Sequence, residues 1–284
     1  MSLGILTNVA ATYAENNLNQ TQNSLQNVLQ QLSSGSRINS GADDAAGLSI
    51  ADGLTANEAA LNQSAQNAQN GVGLLQTADG ALSQVTNLLD RAVTLATEAS
   101  NGGLTLAQSG AADTEFQSIL TEIGNIGSTT NFNSSAVFNG AAPTTFVLSD
   151  GTSSGVTTIS AAATALTATS IGGVTFSATD TLTGATAAAG QASAQTTLTA
   201  ITNAIAGVSA DRGSIGANIN QLNAAANVAS SEEVNLSSAQ SAILSTNFGQ
   251  ATSDLAKFQV LSQTGISALA QANSSQQEIL KLLQ

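Results

Sequence analysis

The sequence predicts a mainly α protein of long, antiparallel, coiled-coil-like helices (a terminal helix pair plus a rod bundle) with a small β-hairpin insert. Two rows of apolar and small residues recur at every seventh position over long stretches. Both chain ends carry shorter rows of the same kind. Between the long rows, at about 130–190, the texture changes to Ser, Thr, Ala and Gly with strand-like runs.

Ala11, Leu18, Leu25 and Leu32, with Val28 and Leu29 beside them, predict the first helix. Asp43 and Asp44 precede an apolar run and suit a helix N-terminus through capping and the helix dipole. The first long row is Leu54, Leu61, Ala68, Leu75, Leu82, Leu89 and Ala96, with Val72, Val85 and Val93 three or four positions away. Such a helix extends on the order of 70 Å. Gly71, Gly73 and Gly80 lie inside it. Each costs roughly 1 kcal/mol of helix propensity, and a neighbouring backbone is expected to approach closely there. Asn101-Gly102-Gly103 predicts a break, then a shorter helix around Phe116, Ile119, Ile123 and Ile126, with Asp113 or Thr114 as its cap.

Thr144 to Leu148 and Val156 to Ser160, joined through an Asp150-Gly151 turn, read as a β-hairpin, and Ile171 to Phe176 as a further strand. The second long row is Ile201, Val208, Ile215, Leu222, Ala229, Leu236 and Ile243. Neither long stripe can be buried by its own helix, so the two rods are natural partners. The last helix carries three rows: Phe248, Leu255 and Leu269; Ala251, Phe258, Ala272 and Ile279; Leu261, Ala268 and Leu282. An apolar arc that wide is expected to be covered on several sides.

Composition narrows the chemistry. The 284 residues include no His and no Cys, and only 8 % are charged, against about 25 % in an average soluble domain. Subtraction leaves about two-fifths of the chain for Ser, Thr, Asn and Gln. Disulfides, thiolate metal sites, cysteine nucleophiles and the Ser-His-Asp triad are excluded. Five basic residues stand against eighteen acidic ones, for a net charge of −13. That argues against a nucleic-acid partner bound through its phosphates and against an anionic membrane surface. No apolar run is long enough for membrane insertion. Met1 to Thr12 contains no Lys or Arg, so it does not read as a conventional secretory signal.

The few reactive constellations read better as structure. Neighbouring carboxylates in Asp43-Asp44 or Glu232-Glu233 point about 100° apart on a helix and do not converge. Ser253 and Lys257 have dyad spacing, but Lys257 is expected to pair with Asp254. No catalytic residue, metal site or cofactor is expected.

Longer motifs carry a resemblance. Ser34 to Ile50 reads SGSRINSGADDAAGLSI, Asn70 to Leu82 reads NGVGLLQTADGAL, and Asn131-Phe132-Asn133 follows the third helix. In the second half, Asp211 to Leu222 reads DRGSIGANINQL and Gln263 to Asn273 reads QTGISALAQAN, before the apolar end Ile279 to Leu283. These blocks closely resemble the terminal regions of bacterial flagellins, in order, over about 1–135 and 190–284.

The resemblance implies a structural subunit that polymerises with itself into the helical flagellar filament for swimming, secreted and extracellular, with no enzymatic activity. It implies an inner, channel-lining domain of 1–44 and 245–284, a rod domain of 45–130 and 190–244, and a short outward-facing insert at 131–189. Packing and polymerisation would rest on Leu18, Leu25, Leu32, Phe248, Leu255, Phe258, Leu269, Ile279 and Leu282. The linker motif supplies Arg37, Ile38, Asn39, Asp43, Asp44 and Leu48. Implied partners are further copies of the chain, an export chaperone without signal cleavage, the filament cap and the hook-junction proteins. An animal innate immune receptor is a further implied partner, at Arg91, Leu95 and Glu115; those residues also suit an interhelix ion pair beside a core leucine. A hook–filament junction protein shares paired terminal helices and is the alternative reading.

Overall fold

The computed structural model describes residues 7–138, 144–152, 156–161 and 164–282, without the side chains of 144, 156, 160, 161 and 279–282. Five helices dominate: α1 (Val9–Ser34), α2 (Ala45–Ala99), α3 (Leu106–Thr129), α4 (Ala187–Leu244) and α5 (Phe248–Leu282). Between α3 and α4 lie three two-stranded antiparallel sheets: β1 (Asn131–Phe132) with β2 (Ser135–Ala136), β3 (Thr144–Ser149) with β4 (Val156–Ala161), and β5 (Ser170–Ile171) with β6 (Val174–Thr175). The chain divides into two compact units, one of Met1–Ala56 with Asn235–Gln284, the other Asn57–Val234. These boundaries differ from 44/45 and 244/245. The start of α2 and the end of α4 belong with the termini, where Gln240 Nε2 donates to Thr55 Oγ1 at 2.6 Å.

Helix ends follow local chemistry. Asn8 Oδ1 accepts from the Ala11 N–H at the start of α1, and Gly35 closes it in the left-handed conformation at φ 71°. Asp44 Oδ1 accepts from the Gly47 N–H at 2.9 Å and so caps α2. Asp43 does something else, described below. The cap of α3 is Thr105, in a reciprocal capping box with Gln108; Asp113 and Thr114 lie inside that helix. The expected cap at Asp113 or Thr114 gives way to Thr105, because the capping box starts the helix two turns earlier.

In the unit 57–234, α2 runs antiparallel to α3 and α4. Arg91 meets Glu115, Asp79 meets Arg212, and Asn62 meets Glu233. Both heptad rows form the core: Ala68, Leu75, Leu82, Leu89 and Ala96 face Ile201, Val208, Ile215 and Leu222, with Phe116 and Ile123 from α3. Gly71 admits side chains rather than a backbone. A Cβ there would lie 2.9 Å from Leu222 and 3.0 Å from Phe146. Gly73 faces Phe132, and Gly80 has nothing within 4 Å, so the expected close backbone approach is not what these glycines serve.

The hairpin β3–β4 has the expected strands, in the register Ser149↔Val156 to Thr144↔Ala161. Leu148 and Ile159 are buried on its inner face. Helix α2 grips its outer edge: Ser64 Oγ donates to the Ser149 carbonyl at 2.7 Å and accepts from the Ser149 N–H at 2.8 Å. Instead of one strand, Ile171–Phe176 forms the small β5–β6 hairpin, with Gly172 and Gly173 both at positive φ, the geometry of a two-residue type I′ turn.

Residues 164–186 form a strap that completes the core. Leu166, Ile171, Phe176 and Leu182 are buried, and Phe176 meets Phe116 edge to face at 6.4 Å between centroids. Asp113 Oδ1 accepts from the Leu182 N–H at 2.8 Å, Gln117 Nε2 donates to the Asp180 carbonyl, and Thr197 Oγ1 donates to that of Thr181. A Cβ on Gly127 would fall on the Leu166 carbonyl, and one on Gly207 on the Gly172 carbonyl. This half of the 131–189 region is therefore core as much as insert.

Candidate assembly interface

The unit containing both chain ends is built on α1 and α5. They are antiparallel: Asn8 Nδ2 donates to the Ala272 carbonyl, Leu18 abuts Gly265, and Gly35 lies beside Phe248. Along α1 the covered positions include Ala11, Ala14, Leu18, Thr21, Leu25, Val28 and Leu32, spaced alternately by three and four, with Ser24 and Gln31 beside them. Along α5 they include Ala251, Leu255, Phe258, Ser262, Gly265, Leu269 and Ala272, with Asp254, Ser274 and Gln276 also partly covered. Thus Leu18, Leu25, Leu32, Leu255, Phe258 and Leu269 lie in one seam between α1 and α5.

Most of that seam is only half-buried; Val28 and Ala251 alone reach the buried class in it. The rest of the apolar arc is open. Phe248 is 56 % exposed, lying beside Gly35 where α1 has already ended. Val260, Leu261 and Ile266 on α5, and Val9, Tyr13 and Leu29 on α1, are exposed as well. An open groove between the helices is lined by Ala14, Leu18, Thr21, Phe258, Leu261 and Ala268, among others. The side chains of Ile279 and Leu282 lie outside the described residues.

At the base of the pair the two linkers bind each other. The Arg37 N–H donates to the Leu244 carbonyl and the Thr246 N–H to that of Gly35, around a bridge between Ser36 and Ser245. Arg37 Nη2 also donates to the Ile243 carbonyl at 3.0 Å. Ile38 is buried against the Gly47 position, and Leu48 is half-buried. Asn39 Nδ2 donates to the Ser36 carbonyl. The Asp43 carboxylate closes the turn, accepting from the Asn39 N–H, the Ser40 N–H and the Ser40 hydroxyl through Oδ2. The Asn39 N–H leads the interactions that hold its pKa below the ordinary carboxylate value.

On α5, Lys257 does not pair with Asp254. Its Nζ lies 5.6 Å from the Phe258 ring centroid, and Asp254 Oδ2 accepts from Gln250 Nε2 instead. Among the described residues no group of three or more His, Cys, Asp or Glu could hold a metal ion, and no helix is long and apolar enough to cross a membrane.

In the other unit, Arg91 and Glu115 form a two-pronged pair at 2.7 and 3.0 Å between α2 and α3. The hydrogen bond to Arg91 holds the Glu115 carboxyl below its ordinary value. Both side chains are about half exposed. Leu95 is only 3 % exposed and belongs to the helix core. This is the arrangement of an interhelix ion pair beside a core leucine, with Leu95 next to the buried Ala96. Asp113 and Gln117, which hold the strap, were missed as tertiary contacts. The nearest sequence signal was the pair Gly124 and Gly127 on the same helix, which marks a close approach.

The family model of the bacterial flagellin N-terminal helical region matches residues 5–142, and that of the bacterial flagellin C-terminal helical region matches 198–283. Flagellin B of Vibrio cholerae is 37 % identical over 141 residues, 50 % of this chain and 38 % of that protein. B-type flagellin of Pseudomonas aeruginosa is 40 % identical over 145 residues, 51 % of this chain and 30 % of that protein. The crystal structure of Bacillus cereus flagellin is 26 % identical, covers 57 % of this chain and 88 % of that one, and gives a TM-score of 0.46. The matches to the two curated relatives span less than two-fifths of those proteins' length.

Proposed function

Because the chain belongs to the bacterial flagellin family, we propose that it is a structural subunit that polymerises with itself into the helical filament of the bacterial flagellum and serves swimming. One observation carries the reading: the α1–α5 pair leaves Val9, Tyr13, Phe248, Val260, Leu261 and Ile266 exposed on a chain with little charged surface. Further copies would cover those side chains, and a head-to-tail contact that does not close generates a helical fibre.

In this reading 1–44 and 245–284 form the inner, channel-lining part, 45–130 and 190–244 surround it, and the hairpin end of 131–189 faces outward. The protein works outside the cell. Its other partners are an export chaperone, the filament cap and the hook-junction proteins. An animal innate immune receptor reading the α2–α3 surface would meet the Arg91–Glu115 pair, with Leu95 supporting it from beneath.

The test is assembly of purified monomer with seeds or salt, viewed by negative-stain electron microscopy. Chains lacking 1–33 or 247–284 are the controls. Long filaments from the full chain alone are expected. Persistent monomers or short capped assemblies would overturn the reading in favour of a junction protein.

A further inference from the structure

We propose that Asn101 is a site of spontaneous deamidation, singled out by the fold from an equivalent sequence at Asn70. The chain holds Asn-Gly at Asn70, Asn101 and Asn139; Asn139 lies outside the described residues. In the reaction the backbone nitrogen of the following glycine, as its amide anion, attacks the asparagine Cγ. The new N–Cγ bond closes a five-membered imide, the Cγ–Nδ2 bond breaks, and the side-chain nitrogen leaves as ammonia after taking up a proton from water. Water then opens the imide at one of its two carbonyls. One opening gives aspartate; the other gives isoaspartate, with the main chain running through the side-chain carbon.

Three conditions favour the attack: a nitrogen not committed to a hydrogen bond, a backbone free to turn, and no Cβ on the following residue. Asn101 meets all three. Asn101, Gly102 and Gly103 are exposed in the connection between α2 and α3. The Gly102 N–H donates no hydrogen bond, and the Asn101 side-chain amide has no partner. At Asn101 itself the N–H donates to the Glu98 carbonyl at 3.1 Å and the carbonyl accepts from the Leu104 N–H at 3.4 Å, while the other bonds of the connection lie at its ends, on Ser100 and Thr105.

Asn70 fails the first two. It lies inside α2, where helical torsions are fixed and the Gly71 N–H belongs to the ladder. Gly71 is buried beneath Leu222 and Phe146. Reaction at Asn101 places a carboxylate just beyond the C-terminus of α2, where the helix dipole is already negative and Glu98 is one turn away. The isoaspartyl form also lengthens the α2–α3 connection by one backbone carbon.

The experiment incubates the full-length chain in neutral and mildly alkaline buffer and follows it by mass spectrometry. A glutamate-specific protease releases 99–115 and 59–98, which separate the two sites. Expected is a gain of one mass unit, placed at Asn101 by fragmentation, accumulating with time and faster at higher pH. Asn70 stays unmodified in the native chain and reacts like Asn101 in urea. Gly102→Ala slows the reaction on the order of tenfold by restoring a Cβ. That variant keeps the fold, since its Cβ meets only the Gln191 side chain at 3.7 Å and Gly102 has no positive φ. No gain at Asn101, equal rates at Asn70 and Asn101 in the native chain, or an unchanged rate in Gly102→Ala would each overturn the proposal.

Discussion

Asp113 shows how one side chain changes meaning once its neighbours are placed. By sequence it is an acid ahead of an apolar run; in the fold its carboxylate satisfies the N–H of buried Leu182. Asp113→Ala should therefore cost about 1–3 kcal/mol, the penalty of an orphaned buried donor. Asp113→Asn, which keeps an acceptor, should cost less; urea midpoints of both variants check this. Glu115 has a folded pKa below its ordinary value of 4.5 because of Arg91. A lowered carboxylate pKa adds stability above the unfolded value, and that stability is lost as pH falls through the folded one. Wild type should therefore exceed Glu115→Gln in stability at neutral pH, with the gap closing below about pH 4.5. Paired urea titrations across that range would reveal it.

At the scale of elements, the glycines sort by what lies above them. On α3 and α4, Gly127 and Gly207 have strap carbonyls where a Cβ would be, whereas Gly80 on α2 faces open space. Gly127→Ala should push the strap off and cost about 1–3 kcal/mol. Gly80→Ala should instead gain roughly 0.5–1 kcal/mol from helix propensity. Opposite shifts in thermal midpoint are the expected result; a harmless Gly127→Ala would mean the strap is not packed as described. The same logic separates the two terminal helices from the central ones. Heptad positions of α2 and α4 within 57–234 are largely buried, while those of α1 and α5 are mostly half-covered, because a two-helix seam lacks a third wall.

For the whole molecule, the proposed function assigns folding and assembly to different parts of the chain. The unit 57–234 carries its own core, so chains lacking 1–33 or 247–284 should retain a cooperative melt from that unit while losing filament formation. Val260→Glu with Leu261→Glu should leave monomer helicity nearly unchanged, since both side chains are exposed, yet abolish filaments by placing charges on the face proposed to meet further copies. Circular dichroism and electron microscopy on the same preparation separate the two effects. If this variant polymerises normally, the exposed face of α5 is not the contact surface. Each chain carries a net charge of −13, so assembly should accelerate with salt as the Debye length shortens to about 10 Å at 0.1 M.

By itself the sequence determined the parts whose information is local. Heptad rows named the core faces of α2 and α4 because helical period is a property of neighbouring residues. The caps at Asp44 and the break at Asn101 were legible for the same reason, and the terminal motifs were sufficient for the family. Only the tertiary structure decided what depends on distant partners. It left Phe248 open past the end of α1, set the boundaries of the terminal unit within α2 and α4, and made 164–186 a structural strap. A carbonyl resting on Gly127 or a carboxylate meeting the Leu182 N–H leaves no periodic trace, because neither contact exists until the helices have brought separate segments together.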